Sequence, residues 1–170
     1  MEMQKTHGES RVRRSISINA TPEEILRAWC SVEVQQRVLE PVATLISGSS
    51  QMSTWRFDTP ARSHEVVWRL LEAPSEHEVR HRLDPIGSLH LSTTLYVARA
   101  PADFGTSVSL FVEFHFPGGS LAETMAKMVG MSPHLLAGKT LHRLKALLEG
   151  GEIPTLRNNP SARDESKEAA

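Results

Sequence analysis

Ser132-Pro133-His134-Leu135-Leu136-Ala137-Gly138-Lys139-Thr140-Leu141-His142-Arg143-Leu144-Lys145-Ala146-Leu147-Leu148-Glu149-Gly150-Gly151 decides how the rest of the chain is read. Ser132 offers an N-cap hydroxyl, and Pro133 takes the first helical position, where no amide hydrogen is needed. Ala137, Leu141, Leu144 and Leu148 then recur at helical spacing until Gly150-Gly151 ends the run. The pattern predicts the longest helix of the chain, with an apolar stripe that must be buried against another layer.

That layer is written immediately upstream. From Val42 to Phe116 short apolar-alternating runs are separated by turn chemistry: Gly48-Ser49-Ser50, Asp58-Thr59-Pro60, Ala73-Pro74-Ser75, Asp84-Pro85-Ile86-Gly87 and Pro101-Ala102-Asp103-Phe104-Gly105. Turns about every 10–15 residues predict an antiparallel meander rather than parallel strand-helix-strand units. Arg11 to Ile18 alternates in the same way and predicts a first strand, for roughly seven in all. Thr21-Pro22-Glu23-Glu24 predicts a capped helix start with a capping box, and Ile25, Leu26, Ala28 and Trp29 supply its buried stripe. Ser31 restarts a second short helix, which Pro41 ends. Ser120 and Glu123 predict one more capping box, opening a brief helix with Leu121, Met125, Met128 and Val129 that Gly130 stops.

Register follows from loop length, because a one-residue slip would invert every side chain. A loop at Ala73 to Glu76 sets Trp68 opposite His81 and Leu70 opposite Val79. A loop at Asp84 to Ser88 then sets His81 opposite Leu91 and Val79 opposite Thr93. The expected inner face carries Trp55, Phe57, Val66, Trp68, Leu70, Val79, His81, Leu83, Leu89, Leu91, Thr93, Leu95 and Val97, joined by Val108, Leu110, Val112, Phe114 and Phe116 of the last strand. Arg80, Arg82, Tyr96 and Glu113 fall on the outer face.

At 170 residues the chain suffices for one domain with a real core. Nineteen Lys and Arg against 20 Asp and Glu give no global field that would draw it to nucleic acid or an anionic membrane. A single cysteine, Cys30, a polar start at Met1 to Ser10 and no apolar stretch long enough for a membrane span predict a soluble, cytoplasmic protein. The expected organisation is an N-terminal tail over 1–10, a domain over 11–156 and a disordered tail over 157–170, which has almost nothing to bury.

Strand, two short helices, antiparallel strands and a long last helix follow the order of the helix-grip fold, an α+β architecture whose sheet wraps a long C-terminal helix. Ser53-Thr54-Trp55-Arg56, Ala100-Pro101 before Gly105-Thr106-Ser107-Val108, Val129-Gly130-Met131-Ser132-Pro133 and Leu141 to Thr155 resemble landmarks of the polyketide cyclase/dehydrase-like branch of the START/Bet v 1-like (SRPBCC) superfamily. The resemblance spans about Arg11 to Arg157. It implies an apolar cavity between sheet and last helix that accepts sterols, lipids, quinones or polyketides, with a minority of members being aromatase/cyclases. Two positions depart from the pattern: His81 stands where relatives commonly carry tryptophan, and Thr93 where they commonly carry glycine.

The candidate ligand-binding residues are Trp55, Trp68, His81, Leu91, Thr93, Val112, Phe114, Met125, Met128 and Leu141. His81 is the candidate catalytic residue, since burial on an apolar face lowers its pKa and leaves a neutral imidazole able to accept a proton; the plainer reading is a core histidine satisfied by backbone or water. Trp55 and Trp68 could sandwich a planar ring or simply fill the core. Met125 and Met128 suit an adaptable apolar lip. None of the eight histidines falls in a zinc-like pattern, so no metal is expected, and no cofactor is implied. Gly-x-Ser-x-Gly is absent, and Cys30 reads as an inert thiol. The expected function is binding or transport of a small hydrophobic molecule. A cyclase/dehydrase with His81 as general base and a cavity-poor interaction protein are the alternatives; homodimerisation is left open.

Overall fold

The computed structural model describes residues 9–40, 42–58, 63–86, 89–115 and 131–153. Strand β1 (Glu9–Ile18) leads into helices α1 (Pro22–Cys30) and α2 (Val32–Leu39). Six strands follow: β2 (Thr44–Gly48), β3 (Met52–Asp58), β4 (Ser63–Leu70), β5 (Glu78–Ile86), β6 (Leu89–Arg99) and β7 (Thr106–His115). Helix α3 (Pro133–Gly150) completes the fold. The seven strands form one antiparallel sheet in the order β1-β7-β6-β5-β4-β3-β2, so the meander is sequential and β1 closes on its last strand. This is the helix-grip α+β architecture.

Local chemistry sets the helix ends. Thr21 accepts from the Glu24 amide at 3.2 Å while Glu24 accepts from the Thr21 amide at 2.8 Å, a complete capping box. Ser31 and Ser132 cap α2 and α3 by accepting from the amides of Val34 and Leu135. Gly151 adopts φ 73°, the left-handed conformation that ends α3, and its amide bonds the Leu147 carbonyl. The stripe of α3 runs through Ala137, Leu141, Leu144 and also Leu147, while Leu148 is only half-buried. Each fully buried side chain of this kind contributes about 1.5–3 kcal/mol.

The expected face assignment holds and the expected register does not. Arg80, Arg82, Tyr96 and Glu113 are exposed on the outer face, and the inner face is buried or half-buried throughout its described positions. Pairing, however, is shifted by two residues on both sides of β5. Trp68 faces Leu83 and Leu70 faces His81; His81 faces Thr93 and Val79 faces Leu95. Two features cause the shift. The β4–β5 connection runs from Leu71 to His77, because Ser75 accepts from the amides of His77 and Glu78 and holds the turn against the start of β5. At its far end β5 does not give way to a loop at Asp84 but continues through Pro85 to Ile86 with an irregularity after Leu83, where a proline is tolerated. Asp84 is thereby brought onto the outer face beside Arg69, which donates to it twice at 2.7 and 2.9 Å. A shift of two preserves facing, so the core composition survives the error.

Phe116, the side chain of Leu89, the helix expected before Gly130 with Met125 and Met128, residues 1–8 of the expected N-terminal tail and the C-terminal tail fall outside the described residues, whereas Glu9 and Ser10, expected in the tail, belong to β1.

Candidate functional site

A cavity of about 140 Å³ lies between the inner face of the sheet, α2 and the first half of α3. The sheet supplies Trp55 and Phe57 from β3, Val66 and Trp68 from β4, Leu83 from β5, Leu91 and Thr93 from β6, and Leu110, Val112 and Phe114 from β7. Trp29 closes it from the end of α1, Val34, Gln35, Val38 and Leu39 from α2, and Pro133, Leu136, Ala137 and Thr140 from α3. No Asp, Glu, Lys, Arg or His contributes to the wall among the described residues. Its surface is almost entirely carbon.

Of the residues singled out from the sequence, Trp55, Trp68, Leu91, Thr93, Val112 and Phe114 line this cavity together. Leu141 and His81 are buried at 1% exposure each but do not line it. His81 stacks against Trp68, with ring centroids 5.4 Å apart and planes inclined by only 12°. Burial pushes the His81 pKa down from 6.5 to about 4, so the ring is uncharged near neutral pH. Neither ring nitrogen has a hydrogen-bond partner, and the hydroxyl of its cross-strand partner Thr93 has none either. Unpaired buried polar groups ordinarily cost about 1–3 kcal/mol each. Burial likewise raises the Cys30 thiol pKa, as expected of an inert cysteine.

Several wall residues were not singled out. Trp29 was legible only as part of the α1 stripe, and the structure shows that its indole N–H also lacks a partner. Gln35 is buried and donates to the Trp29 carbonyl at 2.7 Å, fastening α2 to the end of α1. The spacing of Val34, Val38 and Leu39 after the Ser31 cap carried a signal for an inward-facing α2, whereas the seating of that helix over a cavity depends on tertiary packing.

The other polar wall groups are partnered. Trp55 donates to Ser53 at 2.8 Å and Thr140 to the Leu136 carbonyl at 2.8 Å. Among the described residues no group of three or more metal-ligating side chains is present, and no helix is long and apolar enough to cross a membrane.

Comparison with known proteins agrees with this architecture. Residues 9–149 match the family described as "Polyketide cyclase / dehydrase and lipid transport", so the chain belongs to that family. Among solved structures, DR_A0006 from Deinococcus radiodurans superposes with a TM-score of 0.61 at 17% identity, covering 84% of this chain and 98% of that one. The Aha1 dimer from Colwellia psychrerythraea gives a TM-score of 0.59 at 16% identity, with 84% and 98% covered. Ara h 8.0201 gives 0.56 at 13% identity, with 81% and 98% covered. At these identities the likeness is one of fold. Among curated proteins none matches the chain.

Proposed function

We propose that this protein binds a small hydrophobic molecule between its sheet and its last helix, as a cytoplasmic carrier or sensor of a lipid-like or polyketide-like compound. The observation that carries the reading is the carbon-walled cavity of about 140 Å³, built by residues from every layer of the fold. A dry apolar cavity near 150 Å³ is large enough for a single aromatic ring. The family description, which pairs cyclase/dehydrase chemistry with lipid transport, supports the same class of ligand. Binding is favoured over catalysis because the wall offers no titratable side chain among the described residues, and His81 does not line it.

The three tryptophans of the chain, Trp29, Trp55 and Trp68, all line the cavity, so intrinsic fluorescence reports its occupancy. Native mass spectrometry of freshly purified protein should reveal a co-purifying small molecule, and stripping it should shift the tryptophan emission. Protein that carries nothing and whose emission is unmoved by a panel of apolar ring compounds would sink the proposal.

A further inference from the structure

On the outer face of the sheet, away from the cavity, strand pairing brings together two histidines that are distant in the chain. His90 on β6 and His115 on β7 are direct cross-strand partners, and both are exposed. Their ring centroids stand 6.1 Å apart with planes inclined by 51°. Directly opposed residues of an antiparallel pair hold their Cβ atoms about 4.5–5.5 Å apart, so the two imidazoles share one patch of solvent. The next residues along the two strands, Leu91 and Phe114, are cross-strand partners too, and they are buried on the inner face. Core packing thus holds the backbone beneath the pair, and only side-chain torsions remain to be fixed.

We infer that His90 and His115 form a two-imidazole site for a divalent transition-metal ion of the Zn²⁺ type. The site is independent of the binding role proposed above. Zn²⁺ sits about 2.0–2.1 Å from an imidazole nitrogen. An ion held by one nitrogen of each ring at a tetrahedral angle sets the ring centroids about 5 Å apart, so the observed pair has to close by only about 1 Å. Rotation about χ2 supplies this, because that torsion is broad in histidine. Imidazole suits zinc, nickel and copper, whereas magnesium and calcium take oxygen ligands. Water completes the coordination on the solvent side, which makes the site exchangeable rather than closed. Sequence spacing hid it: neither histidine belongs to a zinc-like motif, and only the pairing of β6 with β7 makes them neighbours. Bound metal ties β6 to β7 beside Leu91 and Phe114, two residues of the cavity wall, and so braces that end of the sheet.

Calorimetric titration of the full chain with Zn²⁺, and with Mg²⁺ as the oxygen-seeking control, tests this. One Zn²⁺ should bind per chain and Mg²⁺ should not. His90→Gln and His115→Gln should each weaken zinc binding at least about tenfold, since losing even a group that merely orients a metal ligand costs about 10–100-fold. His142→Gln, at an exposed position of α3, should leave it unchanged. In the unaltered protein the ring-proton NMR signals of His90 and His115 should shift together as zinc is added, a readout that needs no variant. Zinc should also raise the melting temperature of the unaltered protein and of neither single variant. No zinc binding, or zinc binding that survives both substitutions, overturns the inference. Shifts confined to one of the two rings mean adventitious binding by a single histidine and overturn the shared site. Mg²⁺ bound at the same two rings overturns the class of ion.

Discussion

One face of one sheet is used in two ways. Toward one end, Val79, Leu95, Val97 and Val108 meet Ile18, Ile25 and Leu144 with at most 1% exposure, a core filled to density. Toward the other, Leu83, Leu91, Val112 and Phe114 surround a cavity. The division falls between consecutive inward positions: on β5 between His81 and Leu83, on β6 between Thr93 and Leu95, and on α3 between Thr140 and Leu141. Close packing at one end can therefore sustain the fold while the other end is left underfilled for a ligand.

The largest expected break in this contrast is Leu144→Ala in the filled end. It should cost about 2–5 kcal/mol in urea unfolding, because a fully buried leucine leaves a cavity that cannot collapse. Second comes His81, at the boundary. Its folded pKa of about 4 lies below its ordinary 6.5, so the unfolded chain takes up the proton first. Its contribution is complete above pH 6.5 and is lost as pH falls toward 4, by roughly 3 kcal/mol. His81→Leu should flatten the stability profile across that window by a similar amount; an unaltered slope would show that the ring is already solvated in the native state. Thr21→Ala, which removes the α1 capping box at the filled end, should cost about 1 kcal/mol with ligand affinity unchanged. The smallest change in stability, below about 1 kcal/mol, is expected for Ala137→Leu, which projects into existing space. That variant should nonetheless lose ring-compound binding, and retention of binding would place the ligand elsewhere.

The division between the two ends also explains what the sequence could reveal. Alternation exposed the facing of β3 to β7 at their described positions, since patterns such as Arg80 and Arg82 against Val79, His81 and Leu83 admit only one orientation. Pairing was less legible. The role of Ser75 as acceptor for two backbone amides and the continuation of β5 through Pro85 are tertiary solutions, and an error of two residues leaves facing intact. Half of the cavity wall came through as apolar sheet positions such as Trp55, Trp68 and Phe114. The helical half did not, because Trp29, Gln35 and Leu136 become wall residues only through the seating of α1, α2 and α3. His81 and Thr93 were correctly placed on the inner face, but which of them lines the cavity was not legible: Thr93 does, and His81, stacked on Trp68, does not.

The tethering of α3 has a mechanical consequence. Arg143 donates to the carbonyls of Val38 and Arg37, Lys145 to that of Ser17, Glu149 accepts from the Asn19 amide, and Arg37 reaches the Gly151 carbonyl. Among the described residues, every hydrogen bond from α3 to another element leaves from this C-terminal stretch. The described hydrogen bonds that tie α3 to other elements thus cluster from Arg143 onward, while its Pro133 half contributes Pro133, Leu136, Ala137 and Thr140 to the cavity wall. A rotation of the Pro133 half about this clamped stretch would change the width of the cavity without breaking any of these described hydrogen bonds.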